Sequence, residues 1–374
     1  MLRETNMKRF ARLLVTMFAL CVANQTACAQ DLPLQRIKLP PGFQIEVYAS
    51  VPGARSLALG DDGTVFVGTQ REGSVFALVP KVGAPPEVLT VAKGLETPNG
   101  VAFHAGSLYV AEISRILRYD AIEANLRNPP QPVVVTDRFP RDGHHGWKYI
   151  AFGPDGWLYV PVGAPCNVCE PDPDRYALIS RIRPDGSGYE VFARGVRNTV
   201  GFDWDPHTHE LWFNDHGRDM MGDDLPSCEL NHAPKAGMNF GFPYCHQGDT
   251  PDPEFGAKHS CDEFTPPALK QGGHVAPDGL KFYAGTMFPP EYQGRIFIAQ
   301  HGSWNRSKKS GYRVIAVTLK DNVVQRWDVF AEGWMENERV WGRPVDLLVL
   351  GDGSLLISDD YANVVYRVTY RGKP

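Results

Sequence analysis

The sequence predicts an all-β fold and, within that class, a six-bladed β-propeller. Three observations predict it. Short runs of Val, Ile, Leu, Phe and Tyr alternate with polar residues and are cut by Asp-Gly, Pro-Asp-Gly and Gly-rich turns, which is the chemistry of strands joined by tight hairpins. Helical periodicity is scarce, with one short candidate near Asp120–Leu126. A strand–turn–strand phrase recurs six times, most copies being spaced by roughly 40–50 residues.

The copies run in order along the chain. They are Ser56–Val67, Asn99–Val110, Tyr149–Val160, Thr199–Phe213, Gly279–Ala299 and Val345–Ile357. Each is an apolar strand, a turn, and a second strand that ends in a small or polar residue. A further strand follows most of them, such as Ser74–Val79, Arg115–Tyr119 or Val364–Val368. One such unit cannot bury both of its faces alone, so copies must stack around an axis. A β-sandwich would not repeat one phrase six times. The spacing widens after the fourth copy, where residues around 215–275 form an insertion rich in Gly, Pro, Asp and Cys. Loops of that length are usually functional. The expectation is one propeller domain over residues 30–374.

Residues 1–29 read as a signal peptide. A basic start (Lys8, Arg9, Arg12) precedes the apolar run Leu13–Ala23 and the small-residue site Ala27-Cys28-Ala29. The expected product is periplasmic or secreted. The full chain carries a formal net charge of −5. Loss of the leader, with Arg3, Lys8, Arg9 and Arg12 against Glu4, makes it more negative, which argues against a nucleic-acid partner. No later apolar run is long enough to span a membrane. Five cysteines follow the leader, so at least one is unpaired. Cys245 with Cys261 and Cys166 with Cys169 are the expected pairs, leaving Cys228 free. Zinc is disfavoured because C-x-x-C occurs only once and histidines at zinc spacing are missing.

Polar residues gather where repeats begin and end, which in a propeller is one rim of the axis. Asp142-Gly-His-His-Gly-Trp-Lys148 precedes the third copy, and a histidine there can take a proton from a substrate hydroxyl. Arg197-Asn198 precedes the fourth and suits a carboxylate or phosphate. Asn214–Glu229 collects acids and glycines that suit a hard cation such as calcium, though not at EF-hand spacing; Asp224 and Glu229 are candidates for a second, structural ion. His301-Gly-Ser-Trp-Asn-Arg306 and Trp341-Gly-Arg343 add cations and flat rings. Each cluster alone has a plainer reading as rim packing, surface ion pairs or a solvated loop. Their convergence on equivalent blade ends predicts a site for a planar polyanion beside a cation and a base.

The chain resembles the glucose/sorbosone dehydrogenase family of six-bladed enzymes that use pyrroloquinoline quinone (PQQ), and in particular its sorbosone dehydrogenase-like branch. The resemblance rests on Leu39–Ala49, His144–Gly156, Val162–Cys169, Gly195-Val-Arg-Asn198, Lys235–Cys245, Gln300–Arg306 and Gly342–Asp346. It implies that His145 is the general base and that Arg197 and Asn198 grip PQQ. It implies further that the carbonyls of Gly217 and Arg218 bind a Ca2+ ion and that Arg343 pairs with a PQQ carboxylate. It also implies that Arg306 replaces a family lysine and joins the cofactor-binding set. Where glucose-oxidising members carry an Asp beside the base this chain has Ala164, so His145 must be oriented from elsewhere, and the usual Pro at the calcium loop is Arg218. The implied activity is oxidation of a sugar, sugar aldehyde or alcohol, with a periplasmic quinone or cytochrome as electron acceptor. A non-catalytic carbohydrate- or protein-binding propeller and a calcium-dependent lactonase are the competing readings.

Overall fold

The repeats fold into six sheets of four strands, five in the third, in the computed structural model, which describes residues 32–372; the predicted leader lies outside them. Blade 1 comprises Leu57–Leu59, Val65–Val67, Ser74–Lys81 and Ala84–Lys93, and blade 2 Gly100–His104, Ser107–Ala111, Ile116–Tyr119 and Val133–Thr136. Blade 3 comprises Ala151–Phe152, Leu158–Val162, Leu178–Ile182 and Glu190–Arg194. Blade 4 is built from Phe202–Trp204, Leu211–Asp215, Ser227–Ala233 and Leu269–Gly273, and blade 5 from Pro277–Phe282, Ile296–Gln300, Arg313–Lys320 and Val323–Glu332. Blade 6 uses Pro344–Val349, Leu355–Asp359 and Val364–Tyr370, and takes its outermost strand from the other end of the chain. That strand, Phe43–Ser50, runs antiparallel to Val364–Tyr370, with Phe43 opposite Tyr370 and Ser50 opposite Val364. The fold is a six-bladed β-propeller whose ring is closed by this pairing.

Stacking sets the burial pattern. The second strands of blades 1, 3, 4, 5 and 6 are buried along their whole length, because a neighbour covers each face. Apolar clusters lie between successive blades: Phe66 and Val75 pack with Val101 and Leu108, and Tyr159 and Ile179 with Phe202 and Phe213. Turns obey the local chemistry. Gly156 and Gly353 close the Pro-Asp-Gly and Gly-Asp-Gly hairpins at φ of 76° and 83°, a left-handed conformation that side chains disfavour. The helical candidate near Asp120–Leu126 is a single 3-10 turn, Glu123–Asn125.

The insertion resolves into two excursions of blade 4. Residues 216–226 join its second and third strands, and residues 234–268 join its third and fourth. The longer one sends Met238–Asn239 alongside the outer strand of blade 3, in parallel, and is stapled by the Cys245–Cys261 disulfide. Cys166 is bonded to Cys169, and Cys228 is free and buried. Among the described residues no helix is long and apolar enough to cross a membrane.

Candidate functional site

A cavity of about 820 Å³ opens at one end of the axis, lined by residues of all six blades and their connecting loops. His145 lines it from the loop before blade 3, with its backbone at φ of 50°. Its Nδ1 lies 2.9 Å from the Ala164 carbonyl. A carbonyl only accepts, so Nδ1 carries the hydrogen and Nε2 keeps its lone pair. Burial, then the charge of Arg197, pulls the imidazole down to about 2 and holds it neutral. Ala164 thus orients the histidine through its main chain.

Lys148, fully buried, ties the same loop: its Nζ donates to the Gly146 carbonyl at 2.8 Å. No carboxylate pairs with it among the described residues, and burial lowers its pKa to about 7.

Arg197 is 4 % exposed and tightly held. Its Nε donates to the Asn167 carbonyl at 2.8 Å, and one terminal nitrogen contacts the Asn167 side-chain oxygen at 2.9 Å and Asp219 at 3.3 Å. The main-chain N–H groups of Arg197 and Asn198 both donate to the buried Asp215 carboxylate, at 2.8 and 2.6 Å. Arg343 differs. It donates to the carbonyls of His301 and Gly302 at 3.0 and 2.7 Å and makes no ion pair among the described residues, so a cavity-lining guanidinium retains an uncompensated charge.

Buried polar groups form a chain of hydrogen bonds and ion pairs. His301 Nε2 is 2.8 Å from Asp360, Asp360 bonds to Arg55 at 2.5 Å, Arg55 to Asp278 at 3.0 Å, and Asp278 to His216 at 3.1 Å. All five residues line the cavity. Burial pushes the Asp360 carboxyl up, but its contacts with His301 and Arg55 outweigh this and hold it well below the usual range.

Gly217 borders both this cavity and a chamber of about 10 Å³ behind it, which Asp215, Glu229 and His246 also line. Burial pushes both carboxyls of that chamber up. Among the described residues no hydrogen bond is donated to the carbonyl oxygen of Gly217 or of Arg218.

The structure therefore brings His145, Arg197, Asn198, Gly217 and Arg343 to one cavity. Four other candidates do not line it. The Arg306 guanidinium is taken up by Asp224 at 2.6 Å and by the Asp223 carbonyl at 3.0 Å. The Arg218 side chain pairs with buried Asp252. Asp224 and Glu229, proposed to share an ion, do not meet: the Asp224 side chain is 83 % exposed, while Glu229 is buried and bonded to Gln247 and Asn231.

The sequence profile of the glucose/sorbosone dehydrogenase family matches residues 114–303, half of the chain. The chain belongs to the glucose/sorbosone dehydrogenase family. A second profile, TrAA12-like, matches residues 249–369 of the chain. A protein of Borreliella burgdorferi is 31 % identical to it over 377 residues, covering 96 % of this chain and 97 % of the relative. The fold is shared with the holo PQQ domain of pyranose dehydrogenase from Coprinopsis cinerea, at a TM-score of 0.76 and 17 % identity over 89 % of this chain and 97 % of that one. It is shared also with the PQQ-bound aldose sugar dehydrogenase of Streptomyces coelicolor, at 0.65 and 19 % over 89 % of this chain and all of that one.

Sequence reasoning missed several groups of the cavity. Arg55 and Asp278 were not singled out, yet each immediately precedes a repeat, as Asn198 and Lys148 do. The phase of the repeat was the signal that could have found them. Asp360 follows the second strand of blade 6, Leu355–Asp359, and carried no local mark.

Proposed function

We propose that this dehydrogenase oxidises a sugar, sugar aldehyde or related alcohol with PQQ and Ca2+, using His145 as base, in the periplasm or outside the cell. The observation that carries the reading is the meeting of a neutral imidazole with a free Nε2, the held Arg197 and the unpaired Arg343 around one cavity. The residues fit the cofactor. PQQ is a flat polyanion, and a guanidinium without an acidic partner suits one of its carboxylates. A cavity of about 820 Å³ is of a size that holds such a molecule and a sugar. The unbonded carbonyls of Gly217 and Arg218 are hard oxygen donors suited to calcium. Glu229 lines the chamber that Gly217 borders, with its oxygens already bonded to Gln247 and Asn231, and Asp224 is committed to Arg306.

When bound, PQQ would supply a quinone able to take up two electrons and Ca2+ would supply a Lewis acid, with Arg197, Asn198, Arg343 and the carbonyls of Gly217 and Arg218 as the groups that would hold them. The protein's own residues do the rest. His145 Nε2 takes the substrate hydroxyl proton, while the Ala164 carbonyl keeps Nδ1–H pointing away from the reaction. Arg343 and Arg197 bind and orient anionic groups, and their positions are fixed before the cofactor arrives. The Arg55–Asp278–Asp360 chain holds a constant field beneath the site. Electrons leave to a periplasmic quinone or cytochrome. The two disulfides agree with an oxidising compartment.

The test adds PQQ and Ca2+ to the apoprotein and follows dye reduction across aldoses, sorbosone and simple alcohols. Dye reduction that needs both additions is expected. Lactone hydrolysis with calcium alone, or sugar binding with no redox response, would overturn the proposal.

A further inference from the structure

The segment Gly163–Cys169 has neither helix nor strand, yet it touches both the base and the buried guanidinium. At its start, the Ala164 N–H donates to the Arg197 carbonyl at 2.8 Å, and the Ala164 carbonyl accepts from His145 Nδ1 at 2.9 Å. Three residues on, Asn167 faces Arg197 with two oxygens. Its carbonyl takes Nε at 2.8 Å, and its Oδ1 takes a terminal nitrogen at 2.9 Å. That same Oδ1 accepts from the Asp219 N–H at 2.8 Å, and the Asn167 Nδ2 donates back to the Asp219 carbonyl at 3.1 Å. One side-chain amide thus gives Asp219 both an acceptor and a donor while also capping the Arg197 guanidinium.

A loop with no regular hydrogen bonding loses much conformational freedom on adopting one shape. The Cys166–Cys169 disulfide brackets Asn167 and restricts that freedom. Apolar packing of Cys166 and Val168 on Ala164, Ala177 and Phe242 adds a second anchor.

We propose that Asn167, held by the Cys166–Cys169 disulfide, is the positioning residue that aims Arg197 into the cavity, and that the strap from Ala164 to Cys169 sets base and guanidinium as one unit. The inference rests on the proposed PQQ chemistry for its functional consequence. It makes the oxidised state of Cys166 and Cys169 a condition for a fully assembled site. A dithiol reductant would open the bridge by exchange, giving two thiols here and a disulfide in the reductant.

The test compares wild type, Asn167→Ala, Asn167→Asp and the Cys166→Ser/Cys169→Ser double variant, each first shown by thermal unfolding to be folded. PQQ is titrated into the calcium-loaded apoprotein and followed by quenching of tryptophan fluorescence. Loss of the cap should weaken PQQ binding about tenfold in Asn167→Ala and in the double variant, the scale of one charge-assisted hydrogen bond. Asn167→Asp keeps an acceptor for Arg197 and should recover much of that loss. A second readout needs no cofactor. Arg197's charge helps to hold His145 neutral, so a displaced guanidinium should move the His145 titration upward in the apoprotein, as seen by imidazole NMR. Unchanged PQQ affinity together with an unchanged His145 titration in Asn167→Ala would overturn the inference. A shifted His145 titration in a protein that binds no PQQ even as wild type would uphold the positioning role and overturn the proposed cofactor instead.

Discussion

His145 has one nitrogen fixed by a carbonyl and the other free, and burial beside Arg197 keeps it neutral. Replacing it with Ala removes the base while leaving Arg197, Asn198 and Arg343 in place. Turnover with dye acceptors should fall by roughly 10²–10⁴-fold, with PQQ affinity retained. The pH behaviour follows from the same environment. An ordinary imidazole takes up its proton near 6.5, whereas this one does so near 2. As pH falls through 6.5 the unfolded chain gains a proton that the folded chain refuses, so this site costs stability progressively toward pH 2. His145→Ala should therefore unfold less readily in acid, relative to neutral pH, than wild type. Histidine at this position was legible in the sequence because its motif precedes a repeat. Its orientation was not, since a main-chain carbonyl from another loop leaves no mark in residue type.

At the scale of elements, strands and turns were the readable part. Alternating apolar runs and Pro-Asp-Gly turns give blades wherever the repeat occurs, and their burial on both faces explains why the second strands are so apolar. The long insertion was visible only as an interruption. That it would lay Met238–Asn239 along blade 3 could not be read from the sequence, because two residues carry no strand pattern. Its staple, Cys245–Cys261, closes a loop of sequence separation 16. Replacing both cysteines by Ser should lower unfolding free energy by about 3 kcal/mol, as loop-closure entropy predicts, measured by denaturant titration. No loss of stability would mean that the excursion is fixed by packing alone.

The whole molecule creates what no segment contains. Arg55 meets Asp278 and Asp360, 223 and 305 residues away in sequence, only because Phe43–Ser50 closes the ring. Pairings at that distance leave no local trace, which is why the repeats were found while the charged chain beneath the cavity was not. Phase within the repeat is the exception, since Arg55, Asn198 and Asp278, each just ahead of a copy, all line the cavity. Ring closure also gathers His145 from blade 3's entry, Arg197 from blade 4's and Arg343 from blade 6's around one space. The most direct measurement of that convergence is a crystal structure of the protein with PQQ and calcium bound. A PQQ carboxylate on Arg343, the ion on the carbonyls of Gly217 and Arg218, and His145 Nε2 facing the quinone are the expected result. PQQ bound elsewhere, or bound with Arg343 and His145 both out of contact, would contradict it.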